Sequence, residues 1–258
     1  MLQSGPFIEL FQLYTGAFIV IAAVFFLSGV VKGGMSFGQP LVTISILPLL
    51  VPADLVLAIN AMILPFTNIY QFWLAGEMGK SLKRFWPLML GLIIATPLAA
   101  WFAASIDGRL LLGLIGILVV VFILLTIFNP ALHIRETVEK PWGFITGIVG
   151  GISGALSTAA GPVFLVYLLG LHADRQTLMS SNGLFMIVIG FTMWISYWQV
   201  GWINQPRILL AVLLLGFVSL GMWVGNRLAG LLSANGFRNL VLGVVLLLGC
   251  NMVYRAFG

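Results

Sequence analysis

The chain carries one unusual stretch twice. Ser28–Pro40 reads SGVVKGGMSFGQP, and about 122 residues later Gly150–Pro162 reads GGISGALSTAAGP. Each is rich in glycine, interrupts long apolar sequence, and closes on a proline that opens a short apolar run. Irregular backbone within a bilayer survives only where protein buries it or a cavity lies against it. Two aligned breaks therefore predict two helical bundles built alike, with the unwound backbone of both meeting at the centre.

The membrane setting follows from composition. Hydrophobic residues make up 61% of the chain and charged residues 7%, whereas a soluble domain carries about 25% charged residues. Apolar runs fall at 7–31, 41–51, 55–75, 85–104, 110–128, 142–156, 163–171, 177–199, 208–231 and 239–257. Seven are long enough, at about 1.5 Å per residue, to cross a core of about 30 Å. The short ones, 41–51, 142–156 and 163–171, all flank the two breaks.

The halves match beyond their glycines. Gln39-Pro40 aligns with Gly161-Pro162, Gly29 with Gly151, and Ser36 with Thr158. With a two-residue gap, Ala53-Asp54 aligns with Ala173-Asp174; further on, Gly76 and Gly91 align with Gly201 and Gly216. The expected fold is an all-α membrane protein of two inverted repeats, each a broken or re-entrant helical element plus three full transmembrane helices. The first repeat covers 1–128, a connecting loop 129–141, and the second repeat 142–258.

Charge sets the expected orientation. If each broken element makes an even number of crossings, Lys80, Lys83, Arg84, Arg135, Lys140, Arg175, Arg227 and Arg238 share one side, and only Arg109, Arg207 and Arg255 share the other. One crossing per broken element divides the cations less unevenly, so the first arrangement obeys the positive-inside rule better. It places both termini outside the cytoplasmic membrane. The N-terminus lacks a cationic region before its apolar run, so a retained helix is expected rather than a cleaved signal.

Several chemistries are disfavoured. Cys250 is the only cysteine, and His133 and His172 fall in loop-like sequence, so no cofactor and no metal site is expected. The basic balance serves topology, not nucleic-acid binding. Gly151, Ser153 and Gly154 form a GxSG pattern like that of intramembrane rhomboid proteases, but no histidine lies within a span to act as base. An enzyme is not expected.

Proline suits the first turn of a helix, where no N–H is needed. Pro40 and Pro162 thus predict two short helices whose N-termini, with free N–H groups and positive dipole ends, face an anion near mid-membrane. Substrate contacts are expected from Lys32, Gly33, Gly34, Ser36, Gly38, Gln39 and Pro40 in the first half, and from Ser157, Thr158, Gly161 and Pro162 in the second. Asn60 and Asn182, in apolar runs soon after the breaks, join them. Each assignment has a plainer competitor. The glycines could serve helix packing, Lys32 could snorkel to the interface, and the asparagines could bond between helices. Asp54 and Asp174 read as helix N-caps, with proton coupling as their alternative.

Two stretches, SGVVKGGMSFGQPLV and GIVGGISGALSTAAGPVFLVYLLG, carry a family resemblance that extends from about Phe18 to Tyr254. The chain resembles the TauE/SafE family, sulfite exporter-like membrane proteins also grouped as toluene-sulfonate uptake permeases. The resemblance implies transport of sulfite, an organosulfonate or a related sulfur oxyanion. Together with the helix-end site this predicts a secondary transporter working by alternating access; a passive anion channel with the same site is the alternative. The expected partners are a small anion, the lipid bilayer and a coupling proton. A second copy of the chain is compatible, though nearly every face is apolar and none stands out.

Overall fold

The computed structural model describes residues 5–35, 38–75, 78–128, 133–228 and 234–258. Among them there is no strand. Eleven helices follow in order: α1 (Gly5–Met35), α2 (Gln39–Ile46), α3 (Ala53–Ala75), α4 (Met78–Arg84), α5 (Trp86–Ser105), α6 (Gly108–Phe128), α7 (Glu139–Ser157), α8 (Gly161–Gly170), α9 (Arg175–Gln199), α10 (Gln205–Leu228) and α11 (Ala234–Phe257). Among the described residues four segments are long and apolar enough to cross a membrane on their own: Trp86–Ser105, Gly108–Phe128, Gln176–Gln199 and Gln205–Leu228.

Glycine decides which helices pair. On α1, Gly29 and Gly33 lie one turn apart on one face. A Cβ on Gly29 would collide with the Val218 carbonyl oxygen of α10, and one on Gly33 with that of Met222. Gly221 and Gly225 return the fit against Phe26 and Val30 of α1. The partner pairing is α7 on α5: Gly147 abuts the Leu88 carbonyl, and Gly91 abuts that of Phe144. Both pairs run parallel, backbone against backbone, where van der Waals packing is densest. The remaining principal contacts are α3 with α9 and α6 with α11. At the first of these a Cβ on Gly190 would lie 2.7 Å from the ring of Pro65, and Gly183 leaves room for Phe72. At the second, Gly116 and Gly249 meet.

Polar contacts mark the two ends of the bundle. At one end, Arg84 pairs with Glu139 at 2.6 Å. There the Tyr167 hydroxyl donates to the Glu139 carbonyl at 3.0 Å, and the Ile134 amide donates to the Gly170 carbonyl at 2.9 Å. The end of α8 has thus come back to where α7 begins. A buried cluster of Ser81, Ser180 and Ser181 pins α4 to α9 at this end. At the other end, Arg207 pairs with Asp54 at 2.7 Å, and Arg109 donates to the Ala256 carbonyl at 2.9 Å.

Four expectations need correction. The breaks were placed over Ser28–Pro40 and Gly150–Pro162, but α1 stays helical to Met35 and α7 to Ser157. The second break shrinks to residues 158–160, and in the first only Gly38 is both described and non-helical. Gly29 and Gly33 pack closely against α10 and Gly151 against α5, which requires the helix to persist. Helix α4 forms in the charged stretch between the apolar runs 55–75 and 85–104, where no element was placed. Helix α7 begins at Glu139, within the expected connector 129–141. Finally, Asp54 lies inside the first turn of α3 and holds Arg207 instead of capping. Asp174 does cap α9, accepting from the Gln176 amide at 3.3 Å, and hydrogen bonding led by the Thr177 side chain holds its carboxyl below the usual range.

Candidate functional site

The two breaks meet. Helix α2 starts after Gly38, whose φ of 95° is a left-handed conformation that glycine adopts without strain. Helix α8 starts after Ala160, following a turn in which Thr158 has φ 57°. Both helices carry proline in the first turn, and neither N-terminus has a side-chain cap. In the first turns the N–H groups of Gln39, Leu41 and Gly161 have no partner within the helix, while that of Val163 donates to the Ala160 carbonyl at 3.1 Å. One cavity is lined by Gly38, Pro40 and Leu41 from the first break and by Thr158, Ala159, Gly161 and Pro162 from the second. Leu64 and Asn68 of α3, Asn182 and Met186 of α9, and Lys32 complete it. The open space is about 30 Å³, room for about two water-sized groups at roughly 10–15 Å³ each.

Lys32 reaches this cavity because α1 does not unwind ahead of it. Ser28 and Lys32 stack one turn apart, on a different face from the packing glycines Gly29 and Gly33. The lysine is 3% exposed, which rules out snorkelling in this conformation. Its Nζ donates to Thr67 Oγ1 of α3 at 2.9 Å. Among the described residues no carboxylate lies within 4.0 Å of it. A buried cation with no counter-charge is costly unless something else supplies one. The positive ends of α2 and α8 point into the same space, so the local field favours an anion.

Asn60 ties the two halves together beneath the cavity. Its Nδ2 donates to Thr43 Oγ1 at 2.8 Å and, across 98 residues of sequence, to Thr158 Oγ1 at 3.1 Å. Its Oδ1 accepts from Gln39 Nε2 at 3.2 Å and from the Thr43 hydroxyl at 3.0 Å. Asn60, Gln39 and Thr43 are fully buried. Ser157 is buried too; its hydroxyl donates to the Ser153 carbonyl and accepts from the Ala159 amide, shaping the turn. Two amide oxygens, Gln39 Oε1 and Asn182 Oδ1, are buried with no hydrogen-bond partner.

Of the residues singled out from the sequence, Lys32, Gly38, Pro40, Thr158, Gly161, Pro162 and Asn182 line the cavity. Gln39, Asn60 and Ser157 lie just behind it. Gly33 and Gly34 face α10. Ser36 lies outside the described residues. Thr43, Thr67, Leu64 and Met186 were not anticipated. Thr43 carried a signal, since it stands one turn beyond the Pro40 that opens α2. Thr67 carried a fainter one, two residues after a proline inside an apolar run.

The family model described as sulfite exporter TauE/SafE matches residues 21–252. No curated protein matches the chain, and no solved structure does.

Proposed function

This chain belongs to the sulfite exporter TauE/SafE family, and from that premise we propose that it carries a small sulfur oxyanion across the membrane by alternating access. It is a multi-pass membrane protein of a transport family. The observation that carries the proposal is the convergence of two uncapped helix N-termini and a buried lysine on one cavity. Each group favours negative charge, and no acidic side chain among the described residues lines the space. The small volume suits sulfite or a short sulfonate better than an aryl sulfonate.

Alternating access needs two bodies that rock about the site. The proposal takes them as inverted repeats, with α1 and α2 forming a hairpin open to one face and α7 and α8 a hairpin open to the other. Support comes from the return of α8 to the start of α7, from the reciprocal pairing of α1 with α10 and α7 with α5, and from the ion pair joining the halves at each end. Burial of Lys32, Gln39 and Thr158 fits an occluded carrier better than a channel. The sequence offers no ATP-binding loop, so an ion gradient or the membrane potential would drive the cycle.

Counterflow in proteoliposomes tests the carrier. Vesicles preloaded with unlabelled sulfite should take up labelled sulfite faster than empty ones, whereas a channel would show no acceleration. Orientation has its own test. With the end bearing Lys80, Lys83 and Arg84 in the cytoplasm of a plasma membrane, a tag at either terminus should be accessible from outside intact cells. A terminus reachable only after permeabilisation would overturn the inverted arrangement.

A further inference from the structure

We propose that the site takes its substrate as a singly charged oxyanion bearing its own hydrogen-bond donor, so that a proton crosses on the substrate and not on a protein side chain. This rests on the sulfur-anion function proposed above and goes beyond it by naming the protonation state. Lys32 is the one charged side chain among the described residues lining the cavity. The ion pairs among the described residues, Arg84 with Glu139 and Arg207 with Asp54, sit at the ends of the bundle. A monoanion therefore brings the loaded cavity to zero net side-chain charge. A dianion leaves one uncompensated negative charge beside Lys32 and Thr158, which are 3% and 1% exposed, and buried unpaired charge is strongly disfavoured. The dipoles of α2 and α8 do not reverse this balance. These helices have 8 and 10 residues, so each opposing pole lies only about 12–15 Å away.

The second observation concerns hydrogen bonds. At the cavity wall Asn182 Oδ1 is buried with no hydrogen-bond partner. A fully ionised oxyanion offers only acceptors and would leave this oxygen unsatisfied. Hydrogensulfite, or a short sulfonate with a hydroxyl, supplies the missing donor while its charged oxygens meet Lys32 and the helix ends. No other titratable group among the described residues lines the cavity, so the substrate is the group there, besides Lys32, that can carry the proton.

The test is ligand-induced thermal stabilisation of the full-length purified protein, titrated with four probes and repeated over pH with two of them. Hydroxymethanesulfonate and methanesulfonate are monoanions, the first with a donor and the second without; sulfate and thiosulfate are dianions. Expected affinities run hydroxymethanesulfonate, then methanesulfonate, then the dianions, which should bind at least about 100-fold more weakly, because their second charge must be desolvated with no counter-charge to meet it. Affinity for total sulfite should fall as rising pH removes the anion's proton, while affinity for methanesulfonate stays level over that range. Lys32→Arg should keep this order and Lys32→Gln should flatten it. Dianions binding as well as monoanions, or methanesulfonate losing affinity in step with sulfite, would overturn the inference and leave the transport proposal standing. If no sulfur anion binds the folded protein, the transport proposal falls and this inference with it.

Discussion

Lys32→Ala abolishes sulfite transport in proteoliposomes while the protein still inserts, purifies and melts cooperatively: that is the largest functional effect expected of any single substitution. The lysine is 97% removed from solvent, and among the described residues its hydrogen-bond partner is Thr67 and no carboxylate balances it. In the empty protein its charge is therefore a burden on stability, and alanine should leave the melting temperature unchanged or raise it. With an anion bound the balance reverses. A charge pair about 4 Å apart at an effective dielectric of about 20 contributes about 4 kcal/mol, a factor of about 1,000 in affinity. Opposite effects on stability and transport separate a binding role from a structural one. Transport at the parental rate would remove Lys32 from the site.

The largest structural effect is expected at glycines where backbones touch. Alanine at Gly147 places a Cβ against the Leu88 carbonyl, and alanine at Gly221 places one against that of Phe26. Neither obstacle is a movable side chain, so whole helices must part. Overpacking of this kind costs about 1–3 kcal/mol, occasionally more, and each variant should lower the apparent melting temperature by several degrees, at roughly 2–4 °C per kcal/mol for a chain of this size. Leucine at either position should prevent accumulation of folded protein. Gly216→Ala and Gly243→Ala are the controls, because a Cβ at those positions meets nothing within 4 Å. Equal melting temperatures for Gly147→Ala, Gly221→Ala and the controls would show that close backbone approach does not hold these helices together.

The contrast between Gly91 and Gly216 shows where sequence comparison stops. The two align between the halves, yet Gly91 is pressed against α7 whereas Gly216 faces open space. One letter in the sequence thus stands for two different physical situations. The same holds for the acidic pair, where Asp174 caps its helix and Asp54 does not. Gly33 illustrates a different limit. Its position inside the glycine-rich stretch suggested the substrate, but the 3.6-residue period of a helix that continues to Met35 turns it toward α10 and turns Lys32 away. A shift of one position along an intact helix rotates a residue by about 100°, so knowing whether α1 unwinds at residue 28 or at residue 36 was essential to know which side chains share a face.

Much was nonetheless determined by the sequence alone. Scarcity of charge demanded a bilayer, the length of the apolar runs demanded helices, and two prolines behind small residues demanded two helix starts within apolar sequence. The duplicated stretch sufficed for the family. These are local or compositional constraints, readable without knowing what touches what. The tertiary structure decided everything that depends on long-range contact. It brought Thr158 to Asn60 and Lys32 to Thr67, and it distributed the glycines between cavity and interface. The reason is physical: in a chain that is 61% hydrophobic almost any face can be buried. What chooses the buried face is backbone fit and the few hydrogen bonds that bury polar atoms in pairs, and both exist only once the helices have met.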